Sequence, residues 1–209
     1  MKRNSGLFFT VIIISSLILS SCGKPPKKIL TEYEQAYNKH DVSKIVSFYS
    51  NDVVLDLSIL SKLKGKEDLR NYAEYDSVMN TQIKISDIAT SDNNTMFVMS
   101  LTNDLFKTIE IDTAKYSMIF TIEGGKITKM AGSTTNETGL KIQNFSKKFM
   151  LWASKEKLDE LNQMMPNGRL NYNAENAKKY INMVLEYKLN HNETTIKEQE
   201  NKKKVNPHR

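Results

Sequence analysis

The sequence contains almost no cysteine, since Cys22 is the only one among 209 residues. A single cysteine excludes an intramolecular disulfide, and its position excludes a catalytic cysteine or a cysteine-ligated zinc site in the folded part. Histidine is nearly as scarce, because His40 is the only one between Cys22 and His191. A metal site would depend mainly on carboxylates, and no clustered acidic pattern such as an EF-hand loop is present. We therefore expect no metal and no cofactor.

A concentrated charge of one sign is also missing from the central part of the chain. The formal net charge is +6, but much of the excess lies near the two ends. Residues 30–189 contain nearly equal numbers of basic and acidic side chains. Nucleic-acid binding requires a concentrated basic face, so we exclude nucleic acid as a partner.

The N-terminus has the pattern of an export signal. Lys2 and Arg3 precede an apolar run of about 13 residues, which is at or below the length of a membrane-spanning helix. The sequence Leu19-Ser20-Ser21-Cys22 that follows resembles the bacterial lipobox. We predict a signal peptide over residues 1–21 and a basic, proline-containing tether over 22–29. The alternative is an uncleaved anchor helix in which Cys22 is incidental.

The lipobox resemblance implies that Cys22 carries a lipid and that the mature chain is anchored to a membrane outside the cytoplasm. Gly23 follows Cys22, where an aspartate would be associated with retention in the inner membrane of some Gram-negative bacteria. The predicted location is the cell membrane, or the outer membrane where the cell has one.

Residues 30–133 combine three helical patterns with a series of strand patterns. Helices are predicted from Ile29 to Lys39, after the capping residue Asp41, and from Gly65. Alternating or β-branched segments predict strands at Val53–Leu57, Gln82–Ala89, Met96–Leu101, Lys107–Asp112, Lys115–Ile122 and Lys126–Ser133. Three helices followed by an antiparallel meander predict an α+β fold, with a curved sheet over the helices and a pocket between them.

The remainder of the chain divides into a helical extension and a polar tail. Residues 134–189 contain three amphipathic helical patterns, the first of which includes Phe145, Phe149 and Trp152. We favour packing of these helices on the sheet or over the pocket mouth, and the alternative is a groove for a partner protein. Residues 190–209 are polar and poor in apolar side chains, so we predict disorder there.

Three segments resemble the nuclear-transport-factor-2-like superfamily, which includes SnoaL-like cyclases and ketosteroid isomerase. They are YEQAYNKHD with IVSFYSNDVV (33–41 and 45–54), GKEDL (65–69) and FTIEGGKI (120–127). The resemblance covers about 30–133 and implies a cone-shaped α+β barrel with a pocket at its wide end. Fold does not determine function, because this superfamily contains enzymes, binding modules and partner-binding domains.

The resemblance implies an isomerase site in which a helix-one tyrosine donates a hydrogen bond and a strand aspartate transfers a proton. These positions match Tyr33 and Leu57, and leucine cannot carry a proton. Asp56 is adjacent to Leu57, but neighbouring strand residues face opposite sides of a sheet. His40 lies in a turn, where a catalytic triad is not expected. We therefore expect a non-catalytic domain, and the alternative is an isomerase, cyclase or dehydratase that uses Asp56 and Tyr33.

Aromatic side chains are the candidate ligand-binding residues, because a buried tyrosine offers an apolar face and a hydroxyl. The predicted site comprises Tyr33, Tyr37, Tyr49, Leu57 and Tyr116; Tyr72 and Tyr75 are further candidates. The alternative is that these rings simply pack in the core. The expected function is binding of a small apolar ligand or a protein partner, and a homodimer is a third hypothesis because sheet faces in this superfamily often pair.

Overall fold

A computed structural model describes the backbone of residues 24–57 and 62–205, and the side chains of 24–56 and 62–191. The predicted signal peptide and Cys22 lie outside the described residues, as does the side chain of Leu57. Within the described part, no helix has both the length and the apolar character needed to cross a membrane.

Helices and strands alternate in the first two thirds of the described chain, and helices alone follow. The elements are α1 (Pro26–Asn38), α2 (Val42–Ser47), β1 (Tyr49–Leu57), β2 (Leu63–Lys64), α3 (Gly65–Val78), β3 (Gln82–Ser91), β4 (Asn94–Thr102), α4 (Asp104–Thr108), β5 (Ala114–Glu123), β6 (Lys126–Thr134), α5 (Asn136–Glu156), α6 (Leu158–Met164) and α7 (Ala174–Val205). The predicted N-terminal helices and the β5–β6 hairpin are all present.

The six strands form one sheet in the order β2-β1-β6-β5-β4-β3. Strands β3 to β6 form the predicted antiparallel meander, whereas β1 pairs with β6 in parallel. The register of β3 against β4 shifts between Ser86 and Ala89, where Asp87 has a positive φ of 54°. Such bulges bend a strand and increase its twist. The predicted α+β fold, a curved sheet packed on N-terminal helices with a helical extension, is confirmed.

The strand predicted over Lys107–Asp112 is wrong. Helix α4 begins directly after Asn103, whose side-chain oxygen accepts a hydrogen bond from the Phe106 backbone N–H at 2.7 Å. This cap directs Phe106 into the core, and a turn then buries Ile111 as well. Ile109 and Ile111 are two positions apart, as apolar residues are in an alternating strand. The Asn103 cap, however, favours a helix at this point.

The last helix, α7, extends as far as Val205, and the disorder predicted for residues 190–209 stays a prediction. Its earlier turns are fixed by packing, since Ala177, Met183, Val184 and Tyr187 are buried. Glutamate, lysine and glutamine are good helix formers, and extending an existing helix avoids the cost of nucleation. The composition that predicted disorder therefore also permits a helix that starts from a packed segment.

The C-terminal extension, meaning α5 to α7, packs against its own domain. Its core contains Phe149, Leu161, Met164 and Val184, all buried. A smaller cluster joins this core to α3, where Tyr75 and Met79 contact Tyr172 and Ala177. The extension therefore covers one end of the α3 and β4–β5 layer, as in the favoured alternative.

Candidate functional site

A cavity of about 240 Å³ lies where the extension meets the sheet and α3. We call it the Asp76 cavity. It is lined by Tyr72, Tyr75 and Asp76 from α3, by Met99, Leu101, Asn103, Leu105, Phe106 and Tyr116 from the sheet and α4, and by Ile142, Ser146, Leu170, Tyr172 and Tyr180 from the extension region. The lining is aromatic and apolar, and Asp76 is its single carboxyl group.

Asp76 lies in the last turn of α3 with only 6% of its surface exposed. The Tyr37 hydroxyl on α1 donates a hydrogen bond to Oδ2, and the Thr81 hydroxyl lies 3.5 Å from Oδ1. Burial raises the pKa of Asp76 to about 6, although hydrogen bonds from Tyr37, Thr81 and Tyr72 oppose the shift. None of the ion pairs between described residues includes Asp76. At neutral pH the cavity therefore contains a buried carboxylate without a cationic partner.

Tyr33 and Tyr49 lie deeper in the domain and pair with each other. Their hydroxyl oxygens are 2.8 Å apart, and the Tyr33 ring packs edge-on against Phe48 and Phe120. Burial raises the pKa of both hydroxyls well above the usual value, so they stay protonated. Neither residue lines the Asp76 cavity. Their role in ligand binding stays a prediction, and the observed contacts are those of core residues.

The other predicted site residues are separated by the sheet. Tyr116 lines the Asp76 cavity, and Tyr37 reaches it through its hydrogen bond to Asp76. The Asp56 side chain is 51% exposed on the outer face of β1, where Oδ2 is 3.7 Å from Lys62 Nζ. The alternative catalytic pair is therefore not assembled, because Asp56 faces solvent while Tyr33 is in the core.

Two wider grooves, of about 600 and 660 Å³, lie on the described surface, and the first shares Ile142 and Ser146 with the Asp76 cavity. One follows the start of α5, and the other crosses the outer sheet face beside Asp56 and Met96. Neither contains a buried titratable side chain. Met96 and Ile119 are exposed on the outer face, but pairing of two chains there stays a prediction.

Comparison with family models gives a match in the sheet-containing part of the chain. Residues 30–130 match the SnoaL-like domain. The matched segment covers slightly less than half of the chain and ends before the extension, and we call it the SnoaL-like domain after the model that it matches. The comparison with curated proteins gives no significant match.

Several solved structures are similar to the SnoaL-like domain at low identity. An NTF2-like protein of unknown function from Cytophaga hutchinsonii is 13% identical, with 55% of this chain and 93% of that chain covered and a TM-score of 0.45. The epoxide hydrolase/cyclase-like enzyme SalBIII, of pyran ring formation in salinomycin, is 19% identical, with coverage of 54% and 92% and a TM-score of 0.47. A SnoaL-like protein of unknown function from Burkholderia thailandensis is 12% identical, with coverage of 53% and 94% and a TM-score of 0.44. At this level of similarity, no activity of these proteins is transferred to this chain.

The sequence did not identify Asp76 of the SnoaL-like domain as a candidate site residue. It also did not identify Tyr172 and Tyr180 of the extension. One signal was present, because Tyr72 and Asp76 are four residues apart and therefore share a helix face with the apolar Leu69. An acidic side chain on the apolar face of a helix is rarely buried without a reason. The two extension tyrosines had no such signal, since their placement depends on long-range packing.

The chemistry available in the cavity follows from these groups. Asp76 can accept a hydrogen bond or a proton, and it carries a full negative charge above its pKa of about 6. Burial raises the pKa of Tyr72, Tyr75 and Tyr116 well above the usual value, so their hydroxyls remain neutral donors or acceptors. Within the described residues, no group of three or more histidine, cysteine, aspartate or glutamate side chains is arranged to hold a metal ion.

Proposed function

We propose that this chain is a lipid-anchored extracytoplasmic protein whose SnoaL-like domain binds a small, mainly apolar ligand in the Asp76 cavity. The observation that carries the proposal is an aromatic cavity in which a single buried carboxyl group meets an otherwise uncharged lining. Binding sites for small molecules characteristically combine an apolar wall with a few fixed polar groups. Asp76 would orient the ligand, and the tyrosines would provide most of the contact surface.

The size of the cavity supports a small ligand. Its volume of about 240 Å³ lies just below the range of about 300–1,000 Å³ found for sites that hold drug-sized molecules. The extension supplies Tyr172 and Tyr180 to one wall. A ligand would therefore be enclosed between the SnoaL-like domain and the extension, where most of its apolar surface leaves water.

Filling the cavity tests the proposal. Ser146 lines it from α5, and Ser154 is an exposed serine on the same helix. We expect the unmodified chain to bind 3,3-dimethyl-1-butanol or cyclohexanol saturably, and Ser146→Phe to weaken this binding at least tenfold by occupying the space. Calorimetric titration of the purified chain in a maltoside detergent measures the affinity, and Ser154→Phe is the matched control.

Two methionines on β4 locate the bound probe. Met99 lines the Asp76 cavity, whereas Met96 is exposed in the groove on the outer sheet face. In spectra of methyl-labelled methionine, the Met99 signal should move on titration and the Met96 signal should not. Movement of Met96 alone, or equal affinity for Ser146→Phe and Ser154→Phe, would contradict binding in this cavity.

The lipid anchor of the proposed function is supported by the lipobox pattern that ends at Cys22. We expect Cys22→Ala to abolish incorporation of labelled palmitate in a bacterial host and to remove the mature, lipid-bearing form from the membrane fraction. Ser21→Ala keeps a small residue before the cysteine and should retain the label. Full membrane retention of Cys22→Ala without any labelled species in the unmodified chain would instead indicate an uncleaved anchor helix.

A second candidate function is proton transfer of the isomerase, cyclase or dehydratase type, with Asp76 in place of Asp56. It is favoured by one observation, a buried carboxyl group whose pKa of about 6 suits proton exchange near neutral pH. Such an enzyme would convert a bound carbonyl compound into a product, and the Asp76→Asn variant would bind the compound without converting it. Recovery of every bound compound unchanged from the unmodified chain would favour the binding function.

A further inference from the structure

We propose that the ligand of the Asp76 cavity carries a small organic cation, such as a methylated ammonium group, which pairs with the Asp76 carboxylate among the tyrosine rings. This inference rests on the proposed function and specifies the chemical class of the ligand. The observations that carry it are the charge balance of the cavity, the aromatic content of its wall and its size.

The charge balance favours a cation. Asp76 is the only charged side chain among the residues that line the cavity, and no described lysine, arginine or histidine forms an ion pair with it. The groups that face it are neutral: Tyr37 from α1, Tyr72 from α3, Thr81 after α3, Tyr116 from β5, and Tyr172 before α7. A buried charge is unfavourable unless it is paired. A cationic ligand would supply the missing partner.

The wall of the cavity provides the second argument. Five of the lining residues are tyrosines, and Phe106 adds a sixth ring. The ring of Tyr172 lies 5.2 Å from those of both Tyr72 and Tyr75, with interplanar angles of 73° and 81°. Perpendicular rings present faces in several directions at once. Ring faces attract ammonium groups, and clusters of them recognise methylated ammonium ligands.

The tyrosines add no competing charge. Burial raises the pKa of Tyr180 to about 12 and the pKa of Tyr172 further, so the hydroxyls of the extension remain protonated at neutral pH. A methylated ammonium group has an apolar surface around its positive charge, and it therefore suits a wall of aromatic rings better than a primary ammonium group does. The volume of about 240 Å³ leaves room for a compact head group of this kind.

Choline and its neutral isostere 3,3-dimethyl-1-butanol test the inference directly, because they differ in charge and hardly in shape. Calorimetric titration uses the full chain in a maltoside detergent at pH 8, where Asp76 is ionised. We expect choline to bind at least tenfold more tightly than the alcohol. The preference should fall to about one in Asp76→Asn and remain unchanged in Asp56→Asn, which removes an exposed carboxylate from the outer sheet face.

The same preference should decrease in the unmodified chain as the pH is lowered below about 6, because Asp76 then becomes protonated. This measurement needs no variant and therefore does not depend on whether Asp76→Asn folds. The cationic ligand would be overturned by equal affinities for choline and the alcohol at pH 8, or by a preference for choline that persists in a folded Asp76→Asn chain. Either result would leave the proposed binding of an apolar ligand intact. Absence of binding by both probes would overturn both proposals.

Discussion

Asp76 is expected to make the unmodified protein less stable by about 2.5 kcal/mol at pH 8 than at pH 4, considering this group alone. The pKa of Asp76 is about 6 in the folded protein, against 3.8 for an ordinary aspartate. Because the folded state binds the proton more tightly, the contribution is fully present below about pH 4 and is lost as the pH rises through about 6. A difference of about two pKa units corresponds to about 3 kcal/mol in total, of which about 2.5 kcal/mol falls between pH 4 and pH 8.

Asp76→Asn removes this titration while keeping a side chain of the same shape. The asparagine oxygen can still accept the hydrogen bond from Tyr37, and its amide group can donate to the Thr81 hydroxyl, so the contact between α1 and α3 is retained. We expect the variant to gain stability relative to the unmodified protein as the pH rises from 4 to 8. Urea unfolding, monitored by circular dichroism, measures the change in stability of each protein between pH 4 and pH 8. The difference between the variant and the unmodified protein gives the contribution of Asp76.

Asp56→Asn is the matched control for this pH dependence. Its carboxylate is half exposed and lies 3.7 Å from Lys62 Nζ, so the stability profile of the variant should follow that of the unmodified protein. If the stability of Asp76→Asn and that of the unmodified protein changed in parallel with pH, the burial of the Asp76 charge would be contradicted. Saturating choline should also reduce the loss of stability of the unmodified protein at pH 8, because a bound cation stabilises the ionised carboxylate.

The fold was predictable where local patterns and long-range packing agree. Strand β5 alternates buried and exposed residues along Ala114–Glu123, and the Gly124-Gly125 turn fixes its hairpin with β6. Helix α1 likewise buries one regular face. The segment around Ile109 and Ile111 was misassigned, because its two apolar positions fit a strand equally well and the Asn103 cap precedes them.

The candidate site was only partly predictable, because it forms between segments that are distant in the sequence. Tyr116 was identified from a strand pattern that directs it inward, and it does line the cavity. Asp76 lies near the other acidic residues of α3, so composition did not distinguish a buried carboxylate from exposed ones. Tyr172 and Tyr180 reach the cavity only after the extension folds back on α3, and no local periodicity encodes that contact.

Phe149→Ala is expected to destabilise the extension by about 3–5 kcal/mol, because it leaves a void at the centre of a packed core. The Phe149 side chain is 0% exposed, and its ring centroid lies 5.3 Å from that of Tyr180 and 5.9 Å from that of Trp152. Tyr180 in turn lines the Asp76 cavity. The loss of packing should therefore weaken binding of the choline probe as well as stability.

Trp152 makes this prediction measurable, because it is the only tryptophan in the chain and lies in the same core. Its fluorescence reports unfolding of the extension, whereas circular dichroism reports the whole fold. In Phe149→Ala the fluorescence transition should move to lower urea concentration. Leu151→Ala, at an exposed position on the same helix, should change the stability by less than about 0.5 kcal/mol.

The two transitions also indicate how the extension is coupled to the SnoaL-like domain. Tyr172 and Ala177 share a buried cluster with Tyr75 and Met79 of α3, so unfolding of the extension would expose apolar surface on the domain itself. We therefore expect the fluorescence and dichroism transitions of Phe149→Ala to move together. If only the fluorescence transition moved, the SnoaL-like domain would be stable without the folded extension. Cation binding should then be lost at urea concentrations where the sheet is still folded.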